Sequence, residues 1–247
     1  MRTWKHAGAR LAVETWGAGA VRAVLLHEGL GSIALWKGFP EALAGRVGGR
    51  VLAYDRRGHG ASDPLDAPRR PDFMHREAEV LAAFLEAEGA GDAVLVGHSD
   101  GASIALLHAA RRPVRGLALM APHVFVESLS LASIRDARER FAGTDLRARL
   151  ARYHRDPEHT FRAWNDIWLD PAFASWTIEA EAARVEAPLL VLQGRDDAYG
   201  TAAQYERLAA AAPQADVLVL GRCGHDPARD RPGATLDAIA SFIERCA

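Results

Sequence analysis

An apolar run, Ala93-Val94-Leu95-Val96, meets Gly97-His98-Ser99-Asp100-Gly101 and passes at once into a helix-like stretch, Ala102-Ser103-Ile104-Ala105-Leu106-Leu107. A buried strand that must reverse into a helix over so short a turn leaves few folds open. The glycines flanking Ser99 make the turn sterically possible, because a Cβ at Gly97 or Gly101 would collide where strand and helix approach each other. A serine held in such a strained turn projects its hydroxyl away from both elements, as a nucleophile requires. The alternative is a βα loop whose serine only caps the helix.

The rest of the chain repeats the same alternation. Strand-like runs are Arg10–Glu14, Ala23–His27, Arg50–Tyr54, Ala93–Val96, Gly116–Met120, Leu189–Leu192 and Asp216–Leu220, with longer helical patterns between most of them. Several of these runs are apolar on both faces, as central parallel strands must be. The pattern predicts an α/β fold, a mostly parallel twisted sheet of about eight strands flanked by helices. With 247 residues, 49% of them hydrophobic, one large core suffices and a second domain is not required.

Between Met120 and Pro188 the rhythm changes to helical patterns around Leu129–Phe141, Leu146–His154 and Thr160–Trp168. Residues 124–187 are expected to form a helical lid inserted after the sixth strand, with 1–123 and 188–247 as the sheet domain. Aromatic residues gather in its second half: Phe161, Trp164, Trp168, Phe173 and Trp176. They either glue the lid to the sheet domain or line an apolar substrate pocket. The arginines from Arg135 to Arg162 suggest either an anionic substrate or, given the interspersed acids, a solvated helical surface.

A net charge of −2 supplies no electrostatic reason to expect nucleic acid or an anionic membrane as partner. Residues Met1 to His6 lack the apolar segment of a signal peptide, and no stretch approaches a membrane span; a cytoplasmic protein is expected. Cys223 and Cys246 make neither a disulfide framework nor a metal motif, which fits a reducing compartment. No histidine has zinc-ligand spacing.

A serine hydroxyl needs a base to take its proton, and the base needs a carboxylate to orient it. Both candidates lie downstream at strand ends. Gln193-Gly194-Arg195-Asp196-Asp197 follows one apolar run, and Gly221-Arg222-Cys223-Gly224-His225-Asp226 follows the next. In an open parallel sheet, groups at the carboxyl ends of strands share one edge.

Five motifs stand in order: His27-Glu28-Gly29-Leu30-Gly31, Asp55-Arg56-Arg57-Gly58-His59-Gly60-Ala61-Ser62, the Ser99 turn, the Asp197 turn and Gly224-His225. In that series the chain resembles the α/β-hydrolase fold superfamily over essentially its whole length. The resemblance implies Ser99 as nucleophile, His225 as base and then acid, and Asp197 as the carboxylate. Asp197 lies three residues after Gly194, as the family's turn requires; Asp196 is the runner-up, and Glu127 is the nearest acid for members that take it from the preceding strand end. The resemblance also implies an oxyanion hole from the backbone N–H groups of Asp100 and Gly29. Glu28 stands where the family usually has glycine, so it either enters the site or braces the loop.

His27, His59 and His98 are expected as hydrogen-bonded scaffold, and Asp55 as a turn residue bonded to backbone amides. His6, His75, His108, His154 and His159 are expected at the surface. His123, Trp164 and Trp168 are the candidates for substrate contact. The implied activity is hydrolysis of small-molecule carboxylic esters, including lactones or thioesters, with no metal or organic cofactor and an apolar or aromatic acyl group. Carbon-carbon bond hydrolases and cofactor-free perhydrolases share the fold, and a ligand sensor with little turnover is the alternative of another class.

Overall fold

Successive residues of a strand point to opposite faces, so a sheet built from runs such as Val24-Leu25-Leu26 must be covered on both sides. The structure, a computed structural model in which residues 1–246 are described, meets that demand around an 8-stranded sheet. Its strands are β1 (Arg2–His6), β2 (Ala9–Trp16), β3 (Val21–Leu26), β4 (Arg50–Tyr54), β5 (Val94–His98), β6 (Leu117–Met120), β7 (Leu189–Gly194) and β8 (Ala215–Leu220). Their spatial order is β1-β2-β4-β3-β5-β6-β7-β8. Strand β2 runs antiparallel to β1 and β4, and all other pairings are parallel.

The helices are α1 (Phe39–Val47), α2 (Phe73–Glu88), α3 (Asp100–Ala109), α4 (Ser128–Gly143), α5 (Leu146–Leu150), α6 (Pro157–Trp168), α7 (Glu179–Ala182), α8 (Ala202–Ala211), α9 (Pro227–Asp230) and α10 (Pro232–Arg245). One face of the sheet, with Val24, Leu26, Leu95 and Leu119, packs on Leu81 and Phe84 of α2 and on α3. The other, with Ala23, Leu25, Val94 and Val96, packs on Leu43 and Val47 of α1 and on Ile239 and Ile243 of α10. Alternate residues of each strand thus feed two separate cores.

Strand β1 was not expected. It is an edge strand whose residues are exposed or half-buried, so no apolar run marks it, and its charged Arg2 and Lys5 suit an edge that must not recruit further strands.

Helices α4 to α7 fill the interval between β6 and β7. Helix α6 begins where the Asp156 side chain accepts a hydrogen bond from the His159 N–H and Pro157 needs no donor partner. Phe161, Trp164, Ile167 and Trp168 recur at helical spacing and are buried. Phe161 stacks on Phe141, while Phe173 packs against Trp168, Trp176 and Phe73. Several of these rings join the core shared with α2 and α3.

Helix α3 approaches the sheet so closely that an added Cβ at Gly101 would lie 2.2 Å from the Leu26 carbonyl oxygen, and one at Gly97 would lie 2.5 Å from the Ala102 Cα. Both obstacles are backbone and cannot rotate aside. Gly101→Ala is expected to lower the unfolding free energy by ~2 kcal/mol or more through overpacking, as read by urea denaturation. Gly45→Ala, within α1 and with open space where its Cβ would stand, is expected to be neutral or stabilising in the same assay.

Candidate active site

Ser99 lies at the junction of β5 and α3 with φ 51° and ψ −119°, a conformation that a residue with a Cβ adopts only when its surroundings impose it. Those surroundings are the Ser99 N–H donating to the Met120 carbonyl at 2.9 Å and the close contacts of Gly97 and Gly101. Strands β7 and β8 then deliver the other two side chains. The Gly194 position is so near the Gly224 carbonyl that a Cβ would stand 2.0 Å from it. The His225 loop is therefore seated directly on the end of β7.

His225 Nε2 is 2.9 Å from Ser99 Oγ, and His225 Nδ1 is 2.9 Å from both carboxylate oxygens of Asp197. With Nδ1–H donating to Asp197, Nε2 is left to accept from the serine hydroxyl. The Asp197 carboxylate also accepts from the Tyr199 N–H at 2.7 Å and from Gln193 Nε2 at 2.6 Å. Burial alone would raise its pKa; the His225 bond and charge, with the Tyr199 N–H, outweigh burial and keep it below the usual carboxylate range. Gln193, a polar residue at the end of a buried strand, was missed as an orienting group.

Beside Ser99 runs the segment His27–Gly31, in which the carbonyl oxygens of residues 27–30 are held by side chains from elsewhere in the fold. Arg56 donates Nη1 to the His27 oxygen and Nη2 to the Glu28 oxygen, the latter at 2.9 Å. His59 Nε2 donates to the Gly29 oxygen at 3.0 Å, and His154 Nε2 donates to the Leu30 oxygen at 2.9 Å. Tautomers follow from the opposite nitrogens: His27 Nε2 accepts from the Arg56 N–H, and His154 Nδ1 accepts from the Gly60 N–H. Burial lowers the pKa of His27, His59 and His154, so all three are neutral. With the carbonyls occupied, the N–H groups of Gly29 and Asp100 have no protein acceptor among the described residues, and both residues line the cavity that contains Ser99. Asp100 opens α3, where the first N–H groups have no partner within the helix.

His98 is the exception among these rings. Its Nδ1 lies 3.5 Å from Glu28 Oε2, and its Nε2 donates to the His225 carbonyl at 2.7 Å. Burial would lower its pKa, but the bond to and charge of Glu28, the charge of Asp226 and the carbonyl at His225 outweigh it and push the pKa up to about 9. Glu28 correspondingly lies below its ordinary value, because His98 outweighs the opposing effect of burial. The Glu28–His98 pair and the His98–His225 hydrogen bond thus tie the His27–Gly31 loop, through the end of β5, to the His225 loop. Glu28 does brace the loop, and it also reaches the wall of the cavity.

The cavity holds about 240 Å³ and includes His123, Trp164, Trp168 and Tyr199 in its lining. Trp164 packs on the glycine backbone, where a Cβ at Gly29 would come within 2.2 Å of its ring. Trp168 Nε1 donates to Asp100 Oδ1 at 3.2 Å. His123 packs edge-on against Trp168 with centroids 5.1 Å apart, its pKa pushed down to about 3 by burial and by His225, and its Nδ1 has no partner. Asp196 is exposed and takes no part. Glu127 instead accepts from the Thr201 N–H and hydroxyl and from Gln204. Asp55 accepts from the Ile33 and Ala61 N–H groups, as expected of its turn.

Two surface expectations were wrong. His108 and His154 are buried, and His154 belongs to the support of the 27–31 loop. Nothing in the sequence around His154 marks it, since it crosses from the helical segment between β6 and β7 to a loop more than a hundred residues away in sequence. Burial pushes the Cys223 thiol up to about 11, well away from thiolate chemistry. Among the described residues, no cluster of ligating side chains is fit to hold a metal.

A profile of the alpha/beta hydrolase family matches residues 23–238. The chain belongs to that family. It is 27% identical to 2-(acetamidomethylene)succinate hydrolase of Mesorhizobium japonicum, over 78% of each protein. It is 24% identical to the sn-1-specific diacylglycerol lipase ABHD11 of Mus musculus, over 89% of this chain and 80% of the mouse protein. Among solved structures, a membrane phospholipase A described as a bacterial virulence factor superposes with a TM-score of 0.80 at 25% identity, covering 99% of this chain and 86% of that one. This family member is accordingly an enzyme of the hydrolase type. No helix among its described residues is long and apolar enough to cross a membrane.

The Glu28–His98 pair predicts a pH signature. A histidine whose folded pKa is raised stabilises the fold fully below its unfolded value, 6.5, and loses that contribution as pH rises through about 9. Thermal melts should therefore show the parent more stable than Glu28→Gln at pH 6, with the difference shrinking steadily as pH climbs from neutrality to 10. A difference that grows over that interval would contradict a charged His98.

Proposed function

We propose that this hydrolase cleaves small-molecule carboxylic esters, lactones and thioesters among them, through an acyl-enzyme on Ser99. The observation that carries the reading is His225 bridging Ser99 Oγ and the Asp197 carboxylate at 2.9 Å on each side. His225 takes the hydroxyl proton as Ser99 Oγ attacks the substrate carbonyl, and Asp197 stabilises the imidazolium. The negative charge on the former carbonyl oxygen is met by the N–H groups of Gly29 and Asp100, the latter also at the positive end of α3. His225 then protonates the departing alcohol or thiol, and water, deprotonated by the same ring, releases the acid. No step in this sequence calls on a metal or an organic cofactor.

A cavity of about 240 Å³ walled in part by Ile134, Trp164 and Trp168 suits a small apolar or aromatic acyl group, with His123 offering a polar contact. The segment 124–187 acts in this reading as a lid over the 1–123 and 188–247 core. Two of the similar proteins carry the names of lipid-ester hydrolases, which favours esters over other carbonyl compounds. The free thiols Cys223 and Cys246 fit a cytoplasmic setting.

The deciding experiment is intact-protein mass spectrometry after a fluorophosphonate probe, alongside a p-nitrophenyl ester series of increasing chain length. Stoichiometric labelling at Ser99 with ester turnover is expected, and Ser99→Ala should lose both while melting like the parent. Labelling elsewhere, or full turnover in the alanine variant, would refute the nucleophile. Asp197→Asn should lower kcat by roughly four orders of magnitude by favouring the wrong tautomer, and Asp196→Asn should change it little. The reverse ranking would exchange the two acids.

A further inference from the structure

Next to the Ser99 cavity lies a second and larger one of about 650 Å³, and the two share Glu28, His98, Asp226 and Arg229 in their walls. Its apolar floor includes Trp36, Phe39 and Leu236, and its rim carries Lys37, Arg149 and Arg152. The cations of the rim are not neutralised. Along the arginine-rich stretch, Arg138, Arg140, Arg147, Arg155 and Arg162 each lie 2.7–3.6 Å from a carboxylate oxygen. Arg149 and Arg152 pair with no carboxylate among the described residues, nor does Lys37, and all three line the same cavity. The acids in its wall are already engaged: Glu28 faces His98 at 3.5 Å, and Asp226 caps α9 and lies 3.9 Å from Arg229. The cavity is therefore a trough of mixed polarity, with an apolar patch at Trp36, Phe39 and Leu236 and uncompensated positive charge on exposed Lys37, Arg149 and Arg152, adjoining the Ser99 cavity.

A trough of that kind complements an amphiphile with an anionic end: an apolar spacer lies on Trp36, Phe39 and Leu236, and a guanidinium meets a carboxylate or phosphate with paired N–H donors. We propose that the second cavity is a substrate subsite for such an anion, so that the preferred ester carries a carboxylate or phosphate beyond an apolar spacer, held by Arg149, Arg152 and Lys37. This inference rests on the proposed ester hydrolysis at Ser99 and narrows its substrate class.

The test uses two matched pairs of esters. Mono-p-nitrophenyl suberate against p-nitrophenyl octanoate puts the anion on the acyl side, and 3-phosphopropyl butyrate against 3-hydroxypropyl butyrate puts it on the alcohol side. In one pair the anionic member should show kcat/KM about tenfold above its neutral partner at low ionic strength, the scale of a charge-assisted contact, with the ratio falling as salt screens the rim. Arg149→Ala/Arg152→Ala should bring that ratio to about one, while Arg135→Ala, an exposed arginine outside this wall, should preserve it. A ratio of one or less in both pairs, or a preference that survives the double variant, overturns the subsite.

Calorimetry with hexyl phosphate and hexanol on the Ser99→Ala protein reads the cavity without catalysis. Hexyl phosphate should bind more tightly than hexanol and lose that advantage in the arginine double variant; equal affinities would overturn the subsite even in a protein that turns over neutral esters. Absence of turnover and of Ser99 labelling, with phosphate binding intact, would instead remove the ester reading and leave the anion site standing.

Discussion

The contact between the first turn of α3 and the end of β3 governs the geometry of this edge of the sheet. Because only hydrogen atoms separate Gly101 from the Leu26 and His27 carbonyls, the helix begins immediately beside the loop that follows β3, and Ser99 is forced to positive φ between them. That single approach sets the Ser99 hydroxyl, the unpaired Asp100 N–H and the Gly29 loop within one small cavity. A helix held a methyl group further away would relax the Ser99 backbone and separate the two N–H groups. The strain is carried by sheet and helix faces buried on both sides, the part of the structure best able to hold it.

A second constraint is polar. Four consecutive carbonyls, those of residues 27–30, face away from the cavity toward Arg56, His59 and His154, and buried carbonyls left unpartnered would each be costly. Three of the four histidines bonded around this segment are neutral, because their partners are backbone groups, and burial then decides their state. The fourth, His98, meets a carboxylate and is charged. The difference lies mainly in Glu28: its bond and charge do most to offset burial at His98, with Asp226 and the His225 carbonyl adding to them.

How far all this is legible in the sequence depends on whether a feature is local. The strand runs of the central sheet and the turn at Ser99 are written in consecutive residues, and the apolar periodicity that marks them is the same property that buries them. Strand β1 escapes notice because only Trp4 of its five residues packs against the core, so Arg2 to His6 carry no apolar run and read as an ordinary polar terminus. The positions of Ser99, Asp197 and His225 at strand ends were readable because a parallel sheet collects such ends on one edge. The supporting groups were not readable, since His154 and Gln193 are defined by what they touch across the fold and carry no spacing of their own. Arg149 and Arg152 are similar: in sequence they merge with neighbouring arginines, and only the placement of the acids separates the paired from the unpaired.

The aromatic residues between β6 and β7 illustrate why gluing and lining were not true alternatives. Phe161, Phe173 and Trp176 pack into the core, whereas Trp164 and Trp168, one turn apart on α6, reach the cavity while remaining buried. Each of the two touches one of the proposed oxyanion donors: Trp164 lies on Gly29, and the Trp168 N–H donates to the Asp100 carboxyl. That carboxyl is buried, and burial raises its pKa despite the nearby Arg56 and Arg69, so an unpaired Asp100 side chain would be expensive there. Withdrawing α6 would therefore remove a cavity wall, uncover the Gly29 backbone and strip Asp100 of its partner in one motion. In the proposed reaction, the shape presented to the acyl group and the support of the N–H groups that would meet its oxygen depend on the same helical turn, which would couple substrate fit to charge stabilisation at the carbonyl.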